Sequence, residues 1–240
     1  MIAQKPSKKI LKDLIYNEDT LTLREYLENG FDLQEQCFAH GNTLIHYALY
    51  QRKSDVANWL IKNGVPCDLK NNLGFTPLGL AIINRDYVLM NLMLNQVCNV
   101  STPGYMGNTA ISNVLFNFQK SKNRAVEYSA LQRLLHFDKN INYTCPKYKN
   151  TSYMMQCVSW ADTLAAKMLT THDIQLNTRD RKGMTALHYA VQLNKPDFVS
   201  FLISQGASTS IKNNNGKTPV DLAKKKRNDS ILSLLNSNKN

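Results

Sequence analysis

The chain has 240 residues, 43% of them hydrophobic and 20% charged, with a formal net charge of +11. That composition suits one or two folded domains and excludes a disordered chain. No apolar run approaches the roughly 20 residues of a membrane helix, and the opening stretch, with Lys8, Lys9, Lys12 and Asp13 around Ile10-Leu11, holds no signal-peptide core.

The first predicted elements are a helix over Ile10–Tyr16 and a second over Leu21–Glu28, the latter with Leu23, Tyr26 and Leu27 on one face and closed by Asn29-Gly30. From there the chain repeats itself. Six segments align on a threonine: Gly41-Asn42-Thr43-Leu44-Ile45-His46, Gly74-Phe75-Thr76-Pro77-Leu78, Gly107-Asn108-Thr109, Lys149-Asn150-Thr151, Gly183-Met184-Thr185-Ala186-Leu187-His188 and Gly216-Lys217-Thr218-Pro219-Val220-Asp221. The threonines are spaced by 33, 33, 42, 34 and 33 residues. Each threonine is placed to cap a helix, and proline at the next position lacks the amide hydrogen that would be orphaned there. Further on, Trp59–Lys62 and Phe201–Ser204 read as second helices, each followed by a glycine, Gly64 and Gly206, suited to a left-handed helix end.

This pattern resembles the ankyrin repeat family, with its period of about 33 residues and T-P-L-H-x-A signature. The resemblance is strong at 41–97 and 183–236 and weaker at 107–172. It implies an all-α solenoid of stacked helix-turn-helix units with short β-hairpin loops, about seven units including degenerate caps. The units fall near 8–37, 38–70, 71–103, 104–145, 146–179, 180–212 and 213–236, forming a single domain over 8–236 between flexible termini at 1–7 and 237–240. Such units bury their apolar faces only by stacking on one another.

Two irregularities stand out. The repeat from Thr109 is nine residues too long, with the excess near Gln119–Glu127 ahead of a second helix around Tyr128–His136. Insertions of this kind map to loops on one face, often the binding face. The repeat from Thr151 lacks both the glycine and T-P-L-H, although Ala161–Leu169 still reads as a helix.

Catalytic chemistry finds little purchase. Cys37, Cys67, Cys98, Cys145 and Cys157 are odd in number, scattered and free of C-x-x-C pairs. A disulfide framework or zinc module is therefore disfavoured, and a reducing cytoplasm is expected. His46 and His188 occupy the signature position, where the resemblance implies a backbone hydrogen bond between adjacent repeats. His40 precedes Gly41 at a hairpin tip, and His136 and His172 sit near second-helix ends. A Cys–His pair brought together in space stays open, but no phosphate loop, H-E-x-x-H or EF-hand motif occurs. No catalytic residue, metal or cofactor is expected, and the chain reads as a non-enzyme.

The resemblance implies a monomer that binds a protein partner through hairpin tips and the exposed inner helix. By register these positions are His40, Tyr47, Tyr50, Leu73, Phe75, Tyr105, Met106, Phe116, Tyr148, Arg181, Lys182, Met184 and Tyr189. Exposed aromatic and methionine side chains at tips have the character of interface anchors; the competing reading packs some of them sideways between hairpins. Successive quarters of the chain carry net charges of −1, +2, +3 and +7, which raises a nucleic-acid reading for Lys224-Lys225-Lys226-Arg227. That reading is disfavoured, because aromatic RNA-binding signatures are missing and cations suit a helix C-terminus. An enzyme site hidden in the irregular middle is the other alternative. Asparagine, 27 of 240 residues, together with lysine suggests an AT-rich genome, and the chain looks like a host-directed effector of an intracellular bacterium, delivered into a host cell, or a viral homologue.

Overall fold

The computed structural model describes residues 5–96, 98–122, 124–160 and 162–237. Most of the expected flexible termini, and Asn123 within the expected insertion and Ala161 at the start of the expected helix, lie outside the described residues. Two compact units divide the chain, Met1–Asn113 and Val114–Asn240.

The first unit contains α1 (Lys8–Tyr16), α2 (Thr20–Glu28), α3 (Leu44–Tyr50), α4 (Ser54–Lys62), α5 (Pro77–Ile83) and α6 (Tyr87–Leu94). First helices pack on first helices, α1 on α3 and α3 on α5, and the second helix α4 packs on α6. The seventh helix, α7 (Ala110–Asn117), straddles the division. The second unit continues with α8 (Ala125–Phe137), α9 (Tyr153–Trp160), α10 (Thr163–Thr170), α11 (Ala186–Gln192), α12 (Pro196–Ser204), α13 (Pro219–Lys225) and α14 (Asp229–Asn236). Here α9 packs on α11 and α11 on α13, with α8, α10, α12 and α14 stacked alongside in order. The fold is all-α, as expected. The strands among the described residues are β1 (Thr144–Cys145) and β2 (Thr151–Ser152), paired antiparallel as a short hairpin.

The signature residues build these helices as their chemistry requires. Thr76 and Thr218 cap α5 and α13, their hydroxyls accepting from the amides of Gly79 at 3.0 Å and Asp221 at 3.1 Å. Pro77, Pro196 and Pro219 occupy first turns. Gly64 and Gly206 close second helices at φ +81° and +87°, backbone that other residues rarely adopt. The cores are apolar: Leu44, Ile45, Ala48, Leu60 and Ile61 in the first unit, and Leu131, Leu134, Leu187, Val191 and Leu202 in the second, are buried.

The irregular middle departs from the sequence register. The cap of α9 is Ser152, whose hydroxyl accepts from the amide of Met155 at 3.4 Å, and Thr151 lies one residue ahead of it in β2. Taking Ser152 as the cap restores a spacing of 33 to Thr185. The extra length of the preceding repeat is also not confined to a loop. Relative to the α5–α6 repeat, the interhelix segment is four residues longer and the second helix, α8, five residues longer.

Candidate functional site

The two signature histidines are structural. Nδ1 of His46 lies 2.9 Å from the Thr43 hydroxyl, and its Nε2 lies 3.0 Å from the carbonyl of Phe75 in the next repeat. His188 repeats the arrangement, with Thr185 at 2.9 Å and the carbonyl of Lys217 at 3.1 Å. A carbonyl only accepts, so Nε2 carries the proton and each imidazole bridges two repeats in its neutral form. Burial pushes both histidines below the ordinary range, against the opposing pull of those carbonyls.

The cysteines require a correction. Cys67 and Cys98 form a disulfide, with Cα atoms 5.8 Å apart, so the cysteines are not all unpaired. Their separation of 31 residues is close to the repeat period, which brings equivalent segments of adjacent repeats side by side. Cys37, Cys145 and Cys157 are free and buried. Burial drives the Cys157 thiol far above its ordinary range, the opposite of an activated nucleophile. Among the described residues, no cluster of three or more His, Cys, Asp or Glu side chains is arranged to hold a metal.

In the first unit the end of α3 and two hairpin tips carry a ladder of rings. Tyr50 meets Phe75 edge-on at 6.1 Å, and Phe75 stacks on Tyr105 at 4.2 Å. Tyr50, Leu73 and Tyr105 are 41%, 46% and 45% exposed, while Phe75 is half-buried between the tyrosines. Tyr47, also half-buried, stacks on Phe38 at 4.6 Å. His40 and Met106 hold the tips in left-handed backbone, φ 60° and 58°; His40 is exposed and accepts through its carbonyl from the Asn72 amide at 2.8 Å, whereas Met106 is half-buried. Three consecutive repeats thus present large, rigid, amphipathic side chains along one line, the kind of surface that loses little side-chain entropy on association.

In the second unit, Phe116 stands edge-on to Trp160 at 5.5 Å, and Trp160 meets Tyr148 at 5.8 Å. Trp160 joins two expected residues, Phe116 and Tyr148, but was itself missed, because the one-residue slip at Ser152 hides its position in the register. Arg181 and Lys182 are exposed, and the Arg181 amide donates to the Lys149 carbonyl at 2.8 Å. Met184 is not an exposed anchor. It is only 6% exposed, with the Asn213 amide on its sulfur at 3.3 Å, so it packs sideways against the next hairpin. Tyr189 is half-buried and donates to Asp180 at 2.8 Å. At the basic end, Lys224 and Lys225 lie in the last turn of α13, and Lys226 caps it while donating to the Gln192 carbonyl at 2.6 Å. Cations there answer the partial negative charge of the helix end.

Behind α9, Asp162 gathers a polar knot. It caps α10 by accepting from the Ala165 amide at 3.1 Å, and it accepts from Arg124 at 2.6 Å and from the Tyr128 hydroxyl. Burial raises its carboxyl, but the hydrogen bonds from Tyr128, Ala165 and Arg124 outweigh that and hold it below the usual range. Tyr128 is pushed up to about 12, by burial first and then by Asp162. The knot ties the lengthened α8 region to the start of α10.

Comparison with known proteins bears on the repeat pattern. The sequence profile described as "Ankyrin repeats (3 copies)" matches residues 2–103, 123–213 and 154–240. The chain is 42% identical over 71 residues to ankyrin repeat protein L271 of Acanthamoeba polyphaga mimivirus, covering 30% of this chain and 10% of that protein. It is 28% identical over 175 residues to L371 of the same virus, covering 72% of this chain and 22% of that protein. The chain therefore spans less than a quarter of the length of these relatives. Among solved structures, the ankyrin repeat domain of Bcl-3 aligns with a TM-score of 0.78 at 20% identity, covering 94% of this chain and 96% of that one.

Proposed function

The chain belongs to the ankyrin repeat family, and from that premise we propose that it works without catalysis, by holding a partner protein against its hairpin tips and inner helices. Ankyrin repeats are general protein-interaction modules. The observation that carries the placement is the ladder Tyr50–Phe75–Tyr105, with Leu73 beside it. Tyr50, Leu73 and Tyr105 leave large side chains exposed at a helix end and two loops, the character of interface anchors. His40, Tyr47 and Met106 flank it. In the second unit, Tyr148, Phe116, Arg181 and Lys182 extend the reading to a partner with acidic character. A host-directed effector role draws support from the viral source of L271 and L371.

Affinity capture from host lysate with the wild type and a Phe75→Ala/Tyr105→Ala variant tests the placement. The expected result is a partner retained by the wild type and bound more weakly, by more than about 1 kcal/mol, by a variant of unchanged helicity. Equal capture would remove the ladder from the interface. Unfolding of the variant would make the rings core packing.

A further inference from the structure

The second unit holds the whole excess of positive charge: Val114–Asn240 carries 19 basic and 8 acidic residues, whereas Met1–Asn113 carries 10 of each. Part of that excess stands in a row at the hairpin tips. Lys147 and Lys149, Arg181 and Lys182, and Lys212 and Lys217 are all exposed, on three consecutive repeats. Backbone hydrogen bonds join the tips, from the Arg181 amide to the Lys149 carbonyl at 2.8 Å and from the Asn214 amide to the Lys182 carbonyl at 2.9 Å. The acidic residue of these tips, Asp180, is turned inward. It is 6% exposed and accepts from the amides of Lys182 and Met184 and from the Tyr189 hydroxyl, each at 2.8 Å. The tips 39–42, 72–75 and 104–107 of the first unit, by contrast, carry no Lys, Arg, Asp or Glu. Like charges on joined tips repel one another, and an acidic partner relieves that repulsion as it docks.

At one end of the row lies an apolar recess. A cavity of about 250 Å³ between Lys147–Thr151 and α9 is walled by the rings of Tyr148 and Trp160, which meet edge-on at 5.8 Å, and Lys147 and Lys149 line it too. Both rings are half-buried, so solvent, and with it a ligand, reaches them. Phe116, 38% exposed, stands edge-on to Trp160 at 5.5 Å. A cavity of roughly 150 Å³ holds a benzene molecule, so this one has room for a large apolar side chain. The rings cross at 81° and 86°, walls at right angles rather than the parallel faces on which bases stack. Asp162, the carboxylate nearest in sequence to Trp160, is already held by Arg124 and Tyr128.

We propose that this recess takes one leucine or phenylalanine side chain of an acidic peptide segment, whose carboxylates lie along the lysines and arginines of the joined tips. The proposal rests on the protein-binding reading above and names the chemistry of the partner. Burial of the apolar anchor against Tyr148 and Trp160 supplies most of the affinity. The carboxylates speed the approach and set the register, as charges at the rim of an interface do. A polar residue in place of the anchor leaves the rings wet, and a neutral segment leaves the repulsion among the cations unanswered.

The test titrates the full 15N-labelled chain with three nonapeptides. One is acidic with Leu at its centre, one is identical but for Ser there, and one keeps the Leu but has every Asp and Glu replaced by Asn or Gln. The chain has two tryptophans, Trp160 in this recess and Trp59 in the first unit, so one indole resonance reports the site and the other is its control. The expected result is that the acidic Leu peptide moves Trp160 and not Trp59, and binds about tenfold more tightly than the Ser peptide, a gain that burial of one leucine supports. The neutral peptide should bind more weakly at low salt and lose the salt dependence of the acidic ones. Tyr148→Ser should erase the preference for Leu over Ser, whereas Lys147→Gln/Lys149→Gln should weaken both acidic peptides alike and keep that preference. Equal affinity of the Leu and Ser peptides, or a Trp160 resonance that stays still, would overturn the recess. Tighter binding of a single-stranded oligonucleotide of equal charge, with the same movement of Trp160, would make the row a nucleic-acid surface and overturn the peptide assignment. The Phe75→Ala/Tyr105→Ala variant, altered in the other unit, should bind the Leu peptide as the wild type does, so failure of the ladder and failure of the recess are told apart.

Discussion

Nε2 of His46 donates to the carbonyl of Phe75 at 3.0 Å, and the ring of that same Phe75 stacks on Tyr105 at 4.2 Å. A buried histidine of one repeat therefore holds the backbone that carries the central ring of the exposed ladder. A protonated ring would keep that bond but turn Nδ1 into a donor facing the Thr43 amide, which donates to it at 3.4 Å, so the full arrangement needs a neutral imidazole.

That requirement predicts a pH dependence. The folded-state pKa values of His46 and His188 are depressed, so below about 6.5 the unfolded chain takes up protons that the folded chain refuses. The histidines' contribution is complete above that pH and is lost as the pH falls through the window beneath it. The slope approaches about 1.4 kcal/mol per pH unit for each histidine inside the window. Denaturant melts between pH 7.5 and 5 should show this decline, and a His46→Gln/His188→Gln variant should flatten it. An equally steep decline in the variant would assign it to other groups.

The Asp162 knot separates two contributions. Asp162→Ala loses the cap of α10 together with the bonds from Arg124 and Tyr128, and should cost about 1–3 kcal/mol. Asp162→Asn keeps an acceptor for the Ala165 amide and should cost less. Because the carboxyl is held low, its contribution is present above about pH 4 and is lost in more acidic solution. Chemical denaturation of both variants at pH 7 measures the difference, and equal losses would show that the cap carries no weight.

The disulfide makes a countable prediction. Alkylation of the denatured, unreduced chain should modify three thiols, Cys37, Cys145 and Cys157, and reduction should raise the number to five. Cys98→Ser should lower stability by about 2–4 kcal/mol under oxidising conditions, as expected for a bridge closing a loop of this size. Five modified thiols before reduction would refute the bridge.

Removing residues 216–240 deletes α13 and α14, which cover α11 and α12. Neighbouring repeats supply one another's core, so the truncated chain should aggregate or lose cooperative unfolding. Circular dichroism melts and light scattering report this; a soluble truncation with an unchanged midpoint would mean the last repeat carries no shared core.

The amino-acid sequence by itself determined the elements of the regular repeats. Thr76, Pro77 and Gly64 act on amides and carbonyls within a few residues of themselves, so caps and helix ends at 41–97 and 183–236 follow from local chemistry. His46 and His188 were legible for the same reason, each three residues after its threonine. Tertiary structure decided what depends on the next repeat. Whether a tip side chain points outward or sideways is settled about 30 residues away: Tyr105 remains exposed against Phe75, while Met184 is buried against Asn213. The pairing of Cys67 with Cys98 lay within reach of the repeat period, but only packing set their distance. The middle was least legible, because the packing of α8 on α10 decided how the extra residues divide between loop and helix. In the same region the cap of α9 falls on Ser152, one residue beyond the threonine that the repeat pattern marks.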